Sequence, residues 1–316
     1  MVEREKMNIV CATDDNYVLY CGIMLTSLYE NNRDVEITTY ILARGLSTHN
    51  QNKLSRLAES YKTKIEVIML ADDMWKNSPI WLGDHISVAA YYRLSVAEIL
   101  PEDVKKVLYL DCDIIVARSL RNLWNTDITD YAAGAVIDSG HFNEQRNKMV
   151  GISVTEHYFN SGVLLVNVDY WRKKHVLGQA LRFINDNLDQ LRSHDQDVLN
   201  AVLKDQVLYL PINYNLQDFY LFPPYFNRYG EQIKLQILQT RESEIAIYHL
   251  SMPVKPLNCW HCAYPFDAIW KQYKKISLWR HYPCASSMKD RLMCAILRFC
   301  WKMGVKKTKV DFIEIQ

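Results

Sequence analysis

Glycine is scarce, with ten in 316 residues, and none of them builds a familiar phosphate cradle. A dinucleotide fold would carry G-x-G-x-x-G directly after its first strand, and a P-loop would carry G-x-x-x-x-G-K-[ST]. The first apolar run, NIVCAT (8–13), leads instead into Asp14-Asp15-Asn16-Tyr17, and no P-loop spacing occurs anywhere. Neither sign of charge is in excess, with 37 Lys and Arg against 36 Asp and Glu, so charge alone makes the whole chain no nucleic-acid binder. No apolar run reaches the roughly 18–20 residues that a membrane-crossing helix needs. Internal repeats and low-complexity tracts are not evident. The N-terminus, MVEREKMNIV, lacks the apolar core of a secretory signal. There are eight cysteines, several of them inside apolar strand-like runs. Cys259-x-x-Cys262 is the one redox- or metal-like spacing, and no second CxxC completes a four-thiolate zinc site. The expectation is a cytoplasmic protein with reduced thiols.

What is present is the composition of a folded domain: 49% hydrophobic and 23% charged residues. Strand-like and helix-like runs alternate. NIVCAT (8–13), VEITTYILA (35–43), KIEVIML (64–70) and KKVLYLD (105–111) read as strands, with helical spacing over 17–31 and a helix capped by Ser47 through about Tyr61. Ser87 can cap a further helix that ends before Pro101. Strands at 132–138, 159–168, 207–210 and 245–250 follow, with helices near 170–190 and from His194. Such alternation predicts a mostly parallel, doubly wound α/β sheet. No Pro- or Ser-rich linker precedes about residue 265, so residues 7–265 read as one catalytic domain and 266–316 as a separate C-terminal segment. Beyond residue 270, eleven Lys and Arg from Lys271 to Lys309 meet one acid, Asp290, with Leu292, Ile296, Phe299 and Trp301 between them. Such a segment can lie peripherally on an anionic membrane, or dock on the domain with a solvated basic face.

Sheets of this class bind ligands at the carboxyl ends of their strands. With no glycine cradle, a diphosphate ligand needs its charge met in another way, most simply by a divalent metal. The strand KKVLYLD runs into Cys112-Asp113, and on extended backbone Asp111 and Asp113 lie on the same side, able to share one cation. An exposed acidic pair at a turn is the bland alternative. His249, at the end of IAIYHL, is a candidate third ligand that would tilt the choice from Mg²⁺ toward Mn²⁺. Lys255 follows as a phosphate partner.

Seven segments together, NIVCATDDNY, HISVAAYYRL, VLYLDCDIIV, AVID, FNSGVLLVN, HDQDVLN and YHLSMPVKP, resemble glycosyltransferase family eight, the bacterial lipopolysaccharide galactosyl- and glucosyltransferases. The resemblance runs from about Met7 to about Lys255 and implies a GT-A fold, Mn²⁺, and retaining transfer from a UDP-sugar donor to a saccharide acceptor. It implies that Ala12, Asp14, Asn16 and Tyr17 hold uracil and ribose, with Asp111, Cys112 and Lys255 completing the donor site. Asp111, Asp113 and His249 would bind the metal. Arg93, Asn160, Asp195 and Gln196 would surround the donor sugar as catalytic residues, with His85, Asp138 and Gln196 near the acceptor. Arg93 could instead order the metal site by pairing with Asp111. Acids at the start of a helix, such as Asp195 and Asp197, also favour the helix dipole with no further role. The sequence departs from the family at Met252, where relatives usually have glycine, and at Leu257, often aromatic, while His194 stands at a position that varies with acceptor.

Overall fold

The computed structural model describes residues 4–70, 75, 88–153, 157–251, 266–282, 313 and 315. His85, Ser87, Met252, Lys255, Leu257, Cys259, Cys262 and the basic stretch from 283 to 312 lie outside the described residues.

The chain opens with β1 (Lys6–Asp14), α1 (Val18–Asn31), β2 (Glu36–Arg44), α2 (Thr48–Tyr61) and β3 (Lys64–Met69). β1 and β2 pair in parallel over their whole length, and β2 pairs with β3 in the same sense. Helix α1 is apolar on nearly every face, the mark of a helix that is buried all round, and Val18 to Tyr29 are buried. Ser47 caps α2 through a long hydrogen bond from the Asn50 amide, and Lys62 closes the helix in the left-handed conformation.

A 3₁₀ segment, Val88–Ser95, and a single turn, α3 (Val96–Ile99), stand where one capped helix was expected. The tighter winding carries Tyr91, Tyr92, Arg93 and Leu94 into the interior together. Then come β4 (Lys106–Leu110), β5 (Ile114–Val116), α4 (Arg121–Trp124), β6 (Ala133–Ile137), α5 (Glu144–Met149) and β7 (Phe159–Asn167). The expected helix near 170–190 is two, α6 (Val168–Lys174) and α7 (Val176–Asp186), separated by His175 at φ +52°. A left-handed residue cannot continue an α-helix, and here neither glycine nor proline announces the break. The remaining elements are α8 (His194–Val202), β8 (Val207–Tyr209), β9 (Leu216–Gln217), α9 (Pro223–Phe226), α10 (Glu231–Gln239), β10 (Ile247–His249) and α11 (Asp267–Ile276).

The main sheet has the order β3-β2-β1-β4-β7-β6-β8. All its neighbours are parallel except β7, which runs against both β4 and β6. Strand order reverses between β1 and β4, so a crevice opens beyond their carboxyl ends, the place where open α/β sheets bind ligands. A second sheet, β5-β10-β9, stands beside that crevice. One apolar core lies on the α1 and α11 side and another around Tyr91, Trp171 and Leu199 on the opposite side. The Trp279 ring packs directly against α1: a Cβ on Gly22 would stand 2.1 Å from it, so only glycine admits that contact.

Candidate active site

The crevice is made of residues far apart in sequence. β4 delivers Asp111 as it ends, and the turn into β5 delivers Asp113. β10 pairs with β5 so that His249 stands opposite Ile114, and the Leu250 amide donates to the Asp113 carbonyl at 2.9 Å. That pairing alone brings His249 to the acidic pair. Its Nε2 lies 3.5 Å from Asp113 Oδ1 and 4.0 Å from Asp111 Oδ2. One ligand atom from each of Asp111, Asp113 and His249 falls within 4.8 Å of the other two.

The surroundings fit a cation. Asn215 Nδ2 donates to Asn160 Oδ1 at 2.8 Å, which turns Asn215 Oδ1 toward His249 Nδ1 at 2.9 Å. The His249 proton is thereby held on Nδ1, and the Nε2 lone pair faces the two carboxylates, as supporting groups do around metal-bound histidine. Gly162, the fourth residue of β7, lies directly against two of the three ligands. A Cβ built there would stand 2.4 Å from His249 Cε1 and 2.6 Å from Asp111 Oδ2. Two carboxylates and an imidazole suit a divalent cation of the Mg²⁺ or Mn²⁺ kind.

Arg93 ties the acidic pair to the rest of the site. It is 5% exposed and lies with its guanidinium 4.4 Å from the Tyr109 ring centre. Nη2 donates to Asp111 Oδ1 at 2.8 Å, Nη1 donates to the Ser161 carbonyl at 2.7 Å, and Nε stands 3.0 Å from Asp195 Oδ2. Burial pulls its pKa down, but Asp111 and Asp195 outweigh burial and hold it above the ordinary value. Asp195 is 4% exposed, and burial pushes its carboxyl up to about 6 despite Arg93 and a hydrogen bond from Ser161 Oγ at 3.0 Å.

Gln196 completes the floor. Its Oε1 accepts from the Ser161 amide at 2.9 Å and from Asn160 Nδ2 at 3.1 Å, while its Nε2 donates to Asp138 Oδ2 at 3.2 Å. Asp138 also takes a hydrogen bond from Arg146 at 3.2 Å.

Asp111, Asp113, His249, Arg93, Asn160, Asp195, Gln196 and Asp138 thus form one connected network. Tyr17 joins it at the edge: its hydroxyl donates to Asp113 Oδ2 at 3.4 Å, and burial, aided by Asp113, keeps the phenol protonated well above its usual range. Its ring stacks on Tyr20 at 4.7 Å. Asp14 accepts the Asn16 and Tyr17 amides, both at 2.9 Å, and so fixes the turn from β1 into α1, with Asn16 exposed. Ala12 offers its carbonyl to the Cys112 thiol at 3.2 Å, and Cys112 is buried as part of the core on the α1 side. Sequence reasoning missed Asn215, Gly162 and Ser161. Gly162 stood inside the quoted segment FNSGVLLVN, but nothing local marks Asn215, whose partners lie 34 and 55 residues away.

A parallel-centred sheet with a carboxylate–histidine group at its switch point defines a class: an enzyme that binds a phosphate-bearing ligand through a divalent cation. The solved galactosyltransferase LgtC, in complex with donor and acceptor sugar analogues, has this fold. It is 27% identical with a TM-score of 0.76, over 91% of this chain and 100% of that one. Among curated proteins, the chain is 31% identical to the general stress protein A of Bacillus subtilis strain 168, over 88% of this chain and 96% of that one. It is 28% identical to the lipopolysaccharide glucosyltransferase WaaO of Escherichia coli K12, over 89% and 81%. Residues 8–262 match the model of glycosyl transferase family 8, and the chain belongs to that family. It is a glycosyltransferase.

Proposed function

We propose that this protein transfers galactose or glucose from a UDP-sugar to a saccharide acceptor, lipopolysaccharide or another cell-surface glycan, with retention at the anomeric carbon. The observation that carries the reading is the convergence of Asp111, Asp113 and His249 within 4.8 Å beyond the ends of β1 and β4. The names of relatives support the class of acceptor. WaaO is a lipopolysaccharide glucosyltransferase, and a lipopolysaccharide 1,3-galactosyltransferase of Salmonella typhimurium is 25% identical over 88% of this chain and 81% of its own length.

The imidazole beside two carboxylates favours Mn²⁺ over Mg²⁺. When bound, the cation supplies Lewis-acid stabilisation of the charge on the departing diphosphate. The residues have the following roles in this reading. Asp111, Asp113 and His249 hold the metal, with Lys255 on the diphosphate. Ala12, Asp14, Asn16, Tyr17 and the Cys112 backbone form the nucleoside end. Arg93 fixes Asp111 and Asp195 in one orientation, since its Nε and both Nη atoms already engage protein groups. Asn160, Asp195 and Gln196 line the donor sugar, and Gln196 and Asp138, with His85, face the acceptor.

In this reading the catalytic unit runs past the expected boundary at 265, since Phe266, Trp270, Tyr273 and Trp279 are buried in the core beside α1, and the basic stretch beyond residue 282 contacts the cytoplasmic face of an anionic membrane. No helix among the described residues is long and apolar enough to cross a membrane. Removing residues beyond 285 should release the protein from anionic vesicles, and unchanged binding would refute the membrane contact.

Product analysis tests the transfer itself. With UDP-galactose and UDP-glucose supplied separately, together with Mn²⁺ and an oligosaccharide acceptor, the expected products are UDP and an α-linked glycan. Sugar 1-phosphate as the product would mean cleavage at phosphorus and would make the protein a nucleotidyltransferase or phosphohydrolase instead.

A further inference from the structure

We propose that Cys11, Cys21 and Cys112 form a second metal site, specific for a thiophilic divalent cation of the zinc class. The three come from different elements: β1, α1 and the turn that follows β4. All are buried, with Cys11 and Cys21 at 0% and Cys112 at 5% exposure. None is used by the transferase reading through its side chain.

Their spacing is that of a ligand set. The Cys11 and Cys21 sulfurs stand 3.8 Å apart, and all three sulfurs lie within 4.8 Å of one another. A zinc ion with metal–sulfur bonds of about 2.3 Å holds tetrahedral or trigonal sulfur ligands about 3.8–4.0 Å apart. One edge of the triangle already has that length, and the others need to close by less than about 1 Å. The Ala12 carbonyl, 3.2 Å from Cys112 Sγ, accepts a hydrogen bond from the thiol. When the cation binds, the coordinating thiols release their protons to solvent, and that oxygen becomes available as a fourth donor.

Ligand chemistry keeps the two sites apart. Thiolates select zinc-class ions, whereas two carboxylates and an imidazole suit Mn²⁺ or Mg²⁺. The sites share a backbone, because Cys112 lies between Asp111 and Asp113. A cation held by the three sulfurs would pin the acidic turn to β1 and α1 from below. It would act as a structural clamp on the donor site, with no part in the transfer.

The test uses full-length protein produced under reducing conditions with zinc present, so that the metal meets the chain before the core closes. After dialysis against a chelator, elemental analysis should find about one zinc per chain, released together with the thiols on mercurial titration. The Asp113→Ala variant should retain that zinc, and Cys21→Ala and Cys11→Ser should lose it. Protein produced with cadmium in place of zinc should show an ultraviolet thiolate-to-cadmium charge-transfer band, a signal that carboxylates and imidazole do not give and that needs no variant to fold. Absence of both zinc and the band in the wild type would overturn the proposal and leave three thiols packed as ordinary core. Zinc lost in Asp113→Ala, or kept in both cysteine variants, would overturn it equally.

Discussion

A methyl group placed on Gly162 has nowhere to go. It would stand 2.4 Å from His249 Cε1, 2.6 Å from Asp111 Oδ2 and 3.0 Å from Asn160 Oδ1. None of these neighbours is the free end of a flexible chain. His249 is 4% exposed and tied to Asn215, and Asp111 is held by Arg93. The Gly162 backbone cannot retreat either, since its carbonyl accepts from the Asp111 amide at 2.8 Å and its own amide donates to Asn160 Oδ1 at 3.0 Å. Overpacking of this kind costs about 1–3 kcal/mol of stability. Displacing ligands and their supports costs about 10–100-fold in metal affinity, or about 1.4–2.8 kcal/mol of binding. The assay for Gly162→Ala is a titration of Mn²⁺ followed by the electron spin resonance of the free ion, with thermal unfolding on the same samples. Gly230→Ala is the control, because nothing lies within 4 Å of a Cβ there. Mn²⁺ affinity within about twofold of wild type, with unchanged unfolding, would show that the Gly162 backbone is not pressed against the ligands.

Three further outcomes follow from the same network. Asn215→Leu removes the acceptor that holds the His249 proton on Nδ1, and Mn²⁺ affinity should fall about 10–100-fold, with unchanged affinity counting against that role. Arg93→Met strands Asp111 and Asp195 without their partner, and urea unfolding at pH 7 should show a loss of about 3–5 kcal/mol; a loss under about 1 kcal/mol would mean that the pair is solvated. The Asp195 carboxyl is raised to about 6 in the fold from an ordinary 3.8. Its contribution to stability is therefore fully present below about pH 4 and lost as pH rises through about 6. The stability of wild type relative to Asp195→Asn should fall by about 3 kcal/mol between pH 4 and pH 7.5, and parallel pH profiles in urea would contradict the shift.

The parts legible in the sequence are those with local signatures. Asp111 and Asp113 announced themselves because an apolar strand ended in acids two residues apart. β1 to β3 and their helices were legible because β-branched runs alternate with helical spacing. His249 was legible as a candidate ligand at the end of a strand, but its place in the site depends on β10 pairing with β5 in a small second sheet that no local pattern specifies. The break at His175 was hidden because a histidine in the left-handed region has no composition to mark it. Arg93 reads from sequence either as a donor of hydrogen bonds to a sugar or as the partner of Asp111; the fold has the Asp111 pair, and only the fold reveals that Asp195 and Ser161 occupy the rest of the guanidinium. Asn215 and Gly162 were missed for the same reason: their importance lies in contacts with residues distant in the chain, and elsewhere the same residue types would be a turn amide and a strand glycine.

The most direct measurement is UDP release by purified protein from UDP-galactose and UDP-glucose, titrated with Mn²⁺, for wild type beside Asp113→Asn. Release should rise with Mn²⁺, favour one of the two donors, and fall to background in the variant, with both proteins unfolding at similar temperatures. Release that proceeds at full rate without added metal in chelator-treated enzyme, or that survives in Asp113→Asn, would contradict the claim that Asp111, Asp113 and His249 hold the cation on which transfer depends.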